Sequence, residues 1–329
     1  MAEVVALGEC LISLVATQAG PLAEASGFDR FVAGAEANVA VGLARLGHSV
    51  EYVGRVGDDG FGEAIRRRLR GEGVGTGHLS TDDGAPTGLM FRERRGLGPA
   101  QVLYRRQDSA GSRVSVDDVD RAAADGLFEA ARWLHLSGIT PALSARARAA
   151  TFRAAELARA AGLTISLDLN LRRRLWPDDV AGPVLRELAE GCDLVFGNPD
   201  ELAVVAGEPT APESPESARV ALSLGPPVTV IKLGAGGAML VDAGASGPPV
   251  SRPALSLRVV VDPVGAGDAF CAGFIAARLE GLPFERALEY GNACGAAVAA
   301  TLGDQPGAPD RRELEGLLAI GAGSPDTIR

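Results

Sequence analysis

Asp262-Pro263-Val264-Gly265-Ala266-Gly267-Asp268 joins an extended run to a helical one, and its reading decides the fold. Upstream, residues 258–261 are mostly β-branched and apolar, as in a buried strand. Downstream, residues 269–279 are good helix formers with apolar side chains at helical spacing. Strand, glycine turn and helix in that order make one unit of an α/β fold. The two glycines admit backbone conformations closed to other residues and let a ligand approach the main chain. The first amides of the helix lack internal partners and sit at its positive end, a setting that favours anions. Asp268 then has two readings: a base beside an anion held by the amides of Gly265, Ala266 and Gly267, or a simple helix cap. The first suits phosphoryl transfer to a hydroxyl. The positive helix end predicts that Asp268 is a weak base.

Working outward, short β-rich runs alternate with longer helical patterns. Strands are predicted at residues 4–8, 50–56, 133–137, 163–170, 194–198, 229–233 and 258–261, with helices at 36–46, 63–69 and 145–161. Such alternation implies right-handed βαβ units, hence a three-layer α/β sandwich around a mostly parallel sheet, with ligands beyond the carboxyl ends of the strands. Two stretches break the pattern. Residues 87–95 and 101–107 are extended around Gly96-Leu97-Gly98-Pro99, a hairpin signal, and residues 11–15 and 28–32 are extended in the same half. Together they predict a small antiparallel β lid, built from about 11–33 and 87–107, on a single domain spanning 1–329. Val102, Tyr104 and Arg106 share one face of that lid by the period of two. A phenol and a cation there suit a polar substrate, or else a solvated face. Residues 207–217, rich in Pro, Glu and Ser, read as an exposed loop.

The 329 residues carry a formal net charge of −10 and a pI near 5.0, which argues against nucleic acid or an anionic membrane as the main partner. An anionic ligand must therefore be held by a local arginine cluster. Cys10, Cys192, Cys271 and Cys294 show no paired spacing and read as small buried residues of a reducing compartment. The apolar N-terminus, interrupted by Glu3 and Glu9, reads as a first strand, and a cytoplasmic protein is expected.

Other junctions carry candidate chemistry. Asp168 and Asn170 end a strand on one face with Arg172 just beyond, either as site residues or as an Asp168–Arg172 pair. Asn198-Pro199-Asp200-Glu201 has the spacing of a capping box, and its carboxylate is also suited to hold Mg²⁺ through water. Lys232-Leu233-Gly234-Ala235-Gly236-Gly237 leaves a strand in a glycine-rich turn and re-enters an extended run, so it is neither a Walker loop nor a dinucleotide fingerprint.

The whole set, in this order, resembles the ribokinase-like (PfkB) carbohydrate kinases. Gly57-Asp58-Asp59-Gly60-Phe61-Gly62 is similar to that family's N-terminal signature, and residues 262–270 to its C-terminal one. Residues 32–40, 104–112, 134–142 and 166–170, with Trp176 and Gly303-Asp304, resemble the members that act on 2-keto-3-deoxygluconate. The resemblance implies ATP-dependent phosphorylation of the primary hydroxyl of a sugar acid. Fructose, 5-keto-2-deoxygluconate or a catalytically silent nucleotide-binding regulator are its alternatives. The free edges and apolar face of the predicted lid call for a partner, hence a homo-oligomer assembled through the lid; the resemblance implies ATP and Mg²⁺, with a monovalent cation as a further candidate. It makes Asp268 the general base and the amides of 265–267 the anion hole. Gly34, Asn38, Tyr104, Arg106, Arg172 and Asp304 would hold the acid. Asn198, Lys232, Gly234, Gly237 and Asn292 would line the nucleotide site, with Glu201 near the metal. Ser13 stands where members for neutral sugars often carry aspartate, which favours an acid substrate. Met90 and Arg105 depart from aromatic residues of the most similar members.

Overall fold

Alternating apolar side chains build a central sheet with two covered faces. The computed structural model describes residues 2–94, 101–208 and 215–321. Its strands are β1 (Val4–Leu7), β2 (Leu11–Ala19), β3 (Phe28–Ala33), β4 (Val50–Gly57), β5 (Leu79–Asp82), β6 (Leu89–Arg94), β7 (Val102–Arg105), β8 (Trp133–Ser137), β9 (Thr164–Asp168), β10 (Leu194–Gly197), β11 (Val228–Lys232), β12 (Ala238–Asp242) and β13 (Val250–Arg252). Its helices are α1 (Ala35–Arg45), α2 (Gly60–Gly71), α3 (Val116–Ala124), α4 (Leu127–Ala130), α5 (Thr140–Leu143), α6 (Ala145–Ala160), α7 (Asp178–Glu190), α8 (Pro199–Ala206), α9 (Pro215–Leu222), α10 (Ala266–Leu279), α11 (Phe284–Ala299) and α12 (Arg311–Gly321).

The large sheet has the order β13-β12-β11-β10-β9-β8-β1-β4-β5. It is parallel from β11 to β5, with β12 and β13 added antiparallel at one edge. In β1, Val4 and Ala6 pack with Phe196 and Phe274 on one face, while Val5 and Leu7 pack with Leu134 and Ile165 on the other. The predicted strand 163–170 stops at Asp168, because Asn170 adopts a positive φ of 38° and turns the chain out of the ladder. Among the described residues no helix is long and apolar enough to cross a membrane.

The small sheet has the order β3-β2-β6-β7. Two antiparallel pairs, β2·β3 and β6·β7, are joined by a parallel β2·β6 pair. Between β3 and β6 the chain passes through α1, β4, α2 and β5, a crossover that permits parallel return. The inner face carries Leu11, Ala33 and Met90 against Val102 and Tyr104. The outer face carries Phe28 edge-on to Phe91 at 5.7 Å. The glycine turn at 96–99 lies outside the described residues, but β6 and β7 pair as a hairpin would, with Met90 opposite Tyr104.

Two sequence expectations fail. Residues 258–261 are not a strand: Val259, Val260 and Val261 are 66%, 58% and 50% exposed. The sheet has already ended at β13, and the amides of Val261 and Asp262 bond the carbonyl of Ala299 at the end of α11, not a neighbouring strand. The predicted loop at 207–217 is interrupted by α9, which begins at Pro215; residues 209–214 lie outside the described part.

Candidate active site

Gly265 is the N-cap of α10 and sits at φ 83°, in the left-handed region. A Cβ there would stand 2.6 Å from the carbonyl oxygen of Asp304, so only glycine lets these two backbones meet. Of the three amides expected to form an anion hole, that of Ala266 is taken by the Pro263 carbonyl at 3.3 Å, while Gly265 and Gly267 line a cavity of about 460 Å³ with Asp268 in its wall. Asn38 Nδ2 donates to Asp268 Oδ2 at 2.8 Å, and Asn170 Nδ2 donates to Oδ1 at 3.2 Å. Gln305 in turn donates to Asn38 Oδ1 at 3.2 Å.

The prediction of a weak base is overturned. Burial, reinforced by the nearby Asp168 carboxylate, pushes the Asp268 carboxyl up to about 6. Asn38, Lys232 and Arg172 pull the other way but do not prevail. The helix end is thus outweighed by desolvation.

Asp168 does not pair with Arg172. Lys232, at the end of β11, donates to both of its oxygens at 2.7 and 2.8 Å. Burial alone would pull the Lys232 ammonium down, but Asp168 beside it holds it above the ordinary lysine range. The capping box at α8 forms: Asn198 Oδ1 accepts the Glu201 amide at 2.9 Å, and Glu201 Oε2 accepts the Asn198 amide at 2.9 Å. Glu201 Oε1 accepts the Leu171 amide at 3.0 Å, so both oxygens already hold main chain. Burial raises its carboxyl.

On the small-sheet side, Arg106 ion-pairs with Glu9, and its guanidinium lies 5.4 Å from the Tyr104 ring centroid. Glu9 Oε1 also accepts the Ser109 hydroxyl at 2.7 Å. Arg106 Nε is buried without a hydrogen-bond partner. Arg172 is exposed at the cavity wall, bonding the Leu171 carbonyl at 3.4 Å. Asp304 pairs with Arg92 at 2.9 Å, and burial pushes its carboxyl up to about 7.

A second cavity of about 500 Å³ adjoins the first, sharing Lys232, Gly234, Pro263 and Gly267. Its wall adds Gly237, Ala266 and Asn292, with Leu257 and Val260 on the exposed segment that replaced the predicted strand. Asn292 Nδ2 donates to the carbonyls of Arg252 and Pro253 at 3.1 and 3.0 Å and so fixes the start of that segment.

Every site candidate drawn from the sequence lines one of these two cavities. Gly34, Asn38, Tyr104, Arg106, Arg172, Asn198, Glu201, Gly265, Asp268 and Asp304 line the first; Gly237, Ala266 and Asn292 line the second; Lys232, Gly234 and Gly267 line both. Sequence reasoning missed Glu9, Glu36, Arg92 and Asp262. Glu36 is buried behind the site, where Ser137 and Thr140 donate to Oε1 at 2.7 and 2.6 Å and burial pushes its carboxyl up to about 7. The available signal was a charged residue inside an otherwise apolar pattern: Glu36 in Val32–Ala40, and Arg92 on the same strand face as Met90.

A raised carboxylate, the Gly265 and Gly267 amides and a half-buried ammonium around two joined cavities can take a proton from a hydroxyl and stabilise an anion moving toward it. The model for the pfkB family carbohydrate kinases matches residues 1–311. A 2-dehydro-3-deoxygluconokinase from Thermoproteus tenax is 40% identical over 323 residues, covering 97% of this chain and 94% of that protein. One from Bacillus subtilis is 37% identical over 96% of this chain and 95% of its own length. Among solved structures, a putative ribokinase II from E. coli in complex with ATP and Mg²⁺ superposes with a TM-score of 0.86 at 25% identity, covering 97% of this chain and 100% of that one.

Proposed function

The chain belongs to the pfkB family of carbohydrate kinases, and from that premise we propose that it transfers the γ-phosphoryl group of ATP to the primary hydroxyl of 2-keto-3-deoxygluconate, giving the 6-phosphate. One observation carries the reading: a desolvated Asp268 beside the Gly265 and Gly267 amides, where a cavity walled by Arg106 and Arg172 meets a second one.

The acid lies under the small sheet, which acts as a lid, with its carboxylate toward Arg106 and Arg172. Arginine grips carboxylates through charge-assisted bonds, and Arg106 still has an unpartnered donor. The nucleotide occupies the second cavity with its phosphates toward Lys232 and the amides of Gly265 and Gly267. Asp268 accepts the hydroxyl proton as the oxygen attacks phosphorus, and the amides hold the equatorial oxygens. Mg²⁺ bound with ATP would neutralise phosphate charge. The residues fit an ion held mostly by phosphate and water: among the described residues no group of three or more metal-ligating side chains converges, and Glu201 and Asn198 reach it through water at most. The four free, buried cysteines suit a cytoplasmic setting.

An ATP-consumption screen over 2-keto-3-deoxygluconate, its galacto epimer and fructose tests this. The acids are expected to exceed fructose by about 10²-fold or more in kcat/KM, because a neutral sugar leaves the buried Arg106 Nε without an acceptor and forgoes the charge of Arg172. Fructose turned over as well as the acids overturns the substrate, and the absence of any sugar-dependent ADP release overturns the kinase reading.

The lid also points to a homo-oligomer. Phe28 and Leu103 are exposed on it beside Phe91, and β3 and β7 are its two edges. An apolar face with open edges is covered economically by a second copy. Sedimentation velocity is expected to give a dimer or larger species; a monomer at micromolar concentration overturns this.

A further inference from the structure

We propose that Arg92 is a positioning residue that makes the anion hole depend on the lid. The inference rests on the phosphoryl-transfer reading of 265–268 and deepens it. Arg92 belongs to lid strand β6, yet its guanidinium is buried between two carboxylates of the large domain layer. Nη2 meets both oxygens of Asp262, at 2.6 and 2.7 Å, and Nη1 meets Asp304 Oδ1 at 2.9 Å.

Both residues are tied to the chain around Gly265. Asp262 opens the glycine motif, and its Oδ1 accepts the Val264 amide at 3.2 Å. Its Oδ2 accepts the Gly303 amide at 3.2 Å, tying the motif to the turn before Asp304. The Asp304 backbone is the surface against which Gly265 packs. One lid side chain therefore holds both walls of the slot that sets the N-cap of α10. Among the described residues no other cation pairs with Asp262 or Asp304.

Stability alone is a poor reason for the cluster, since well-packed apolar residues often replace a buried ion triad at no loss. What the triad supplies is a discrete, two-pronged contact that forms only when β6 is in place. Displacing the lid withdraws the guanidinium, leaves two buried carboxylates facing each other, and releases the turn that aims the amides. Sugar held under Tyr104, on the strand next to β6, and phosphoryl chemistry at Gly265 then belong to one conformational equilibrium.

Arg92→Ala and Arg92→Lys test this by kinetics and by amide hydrogen exchange. Arg92→Ala is expected to lose about 10²-fold in kcat, the scale of a misplaced reacting centre, with ATP affinity unchanged and partial recovery on adding guanidinium ion. Peptides covering 262–268 are expected to exchange about tenfold faster, while β8 and β9 stay protected. Arg92→Lys keeps the charge but cannot span both carboxylates, so it is expected to fold and to show the same pattern more weakly; it decides the matter if the alanine variant does not fold. Unchanged exchange at 262–268 overturns the proposal, as does faster exchange with unchanged kcat. Wild-type protein that phosphorylates no sugar overturns the function instead, and exchange still decides the positioning role.

Discussion

Asp268→Asn is expected to lose about 10²–10⁴ in turnover while ATP binds as before. The wild-type carboxylate accepts from Asn38 and Asn170 and keeps its basicity because it is desolvated beside Asp168. An amide in its place cannot accept the hydroxyl proton. Collapse of the fold will not explain the loss. A carboxyl whose folded value is raised is more readily ionised in the unfolded chain, so above that range its charge opposes folding. The asparagine variant should therefore melt no earlier than wild type at neutral pH. The same sign governs the pH profile. Turnover by wild type depends on ionised Asp268, so it should fall as pH drops through about 6, whereas residual turnover by the variant should not follow that limb. Steady-state rates with calorimetric titration of ATP measure both. Near-normal turnover in the variant would remove Asp268 from the role of base.

Arg106→Ala is expected to weaken the apparent binding of the acid by about 2–5 kcal/mol, roughly 30- to 4,000-fold in Michaelis constant. Arg106, in the cavity wall, is anchored by Glu9 and backed by Tyr104, and its Nε has no hydrogen-bond partner. The substitution also leaves Glu9 buried without its cation, so a lower melting temperature accompanies it. Fructose separates the two effects. It has no carboxylate to lose, so its Michaelis constant should rise far less. Equal losses for acid and neutral sugar would show that Arg106 acts through the fold and not through the acid.

Much of the site was legible because it depends on local backbone chemistry. The glycine turn at 265–267 and the capping box at Asn198–Glu201 are written in residues adjacent in sequence, and both form. Alternation located β1, β4 and β8 because buried parallel strands leave a continuous apolar trace. The same trace misled at 258–261, where Val260 lines a cavity and Val259 and Val261 are exposed; periodicity cannot tell a strand that is covered from one that is not. Partners far apart in sequence were out of reach. The neighbouring Arg172 was a reasonable mate for Asp168, but Lys232, 64 residues away, holds it. Asp268's basicity was misjudged for the same reason, since its burial and the nearby Asp168 carboxylate, far away in sequence, act on it only in the folded chain.

The valine-bearing segment between β13 and α10 belongs to no ladder, although it borders the cavity assigned to the nucleotide. No strand register depends on its side chains. Preference among nucleobases is thus free to drift under selection while the chemistry stays constant, and directed evolution toward another triphosphate should begin with Leu257 and Val260.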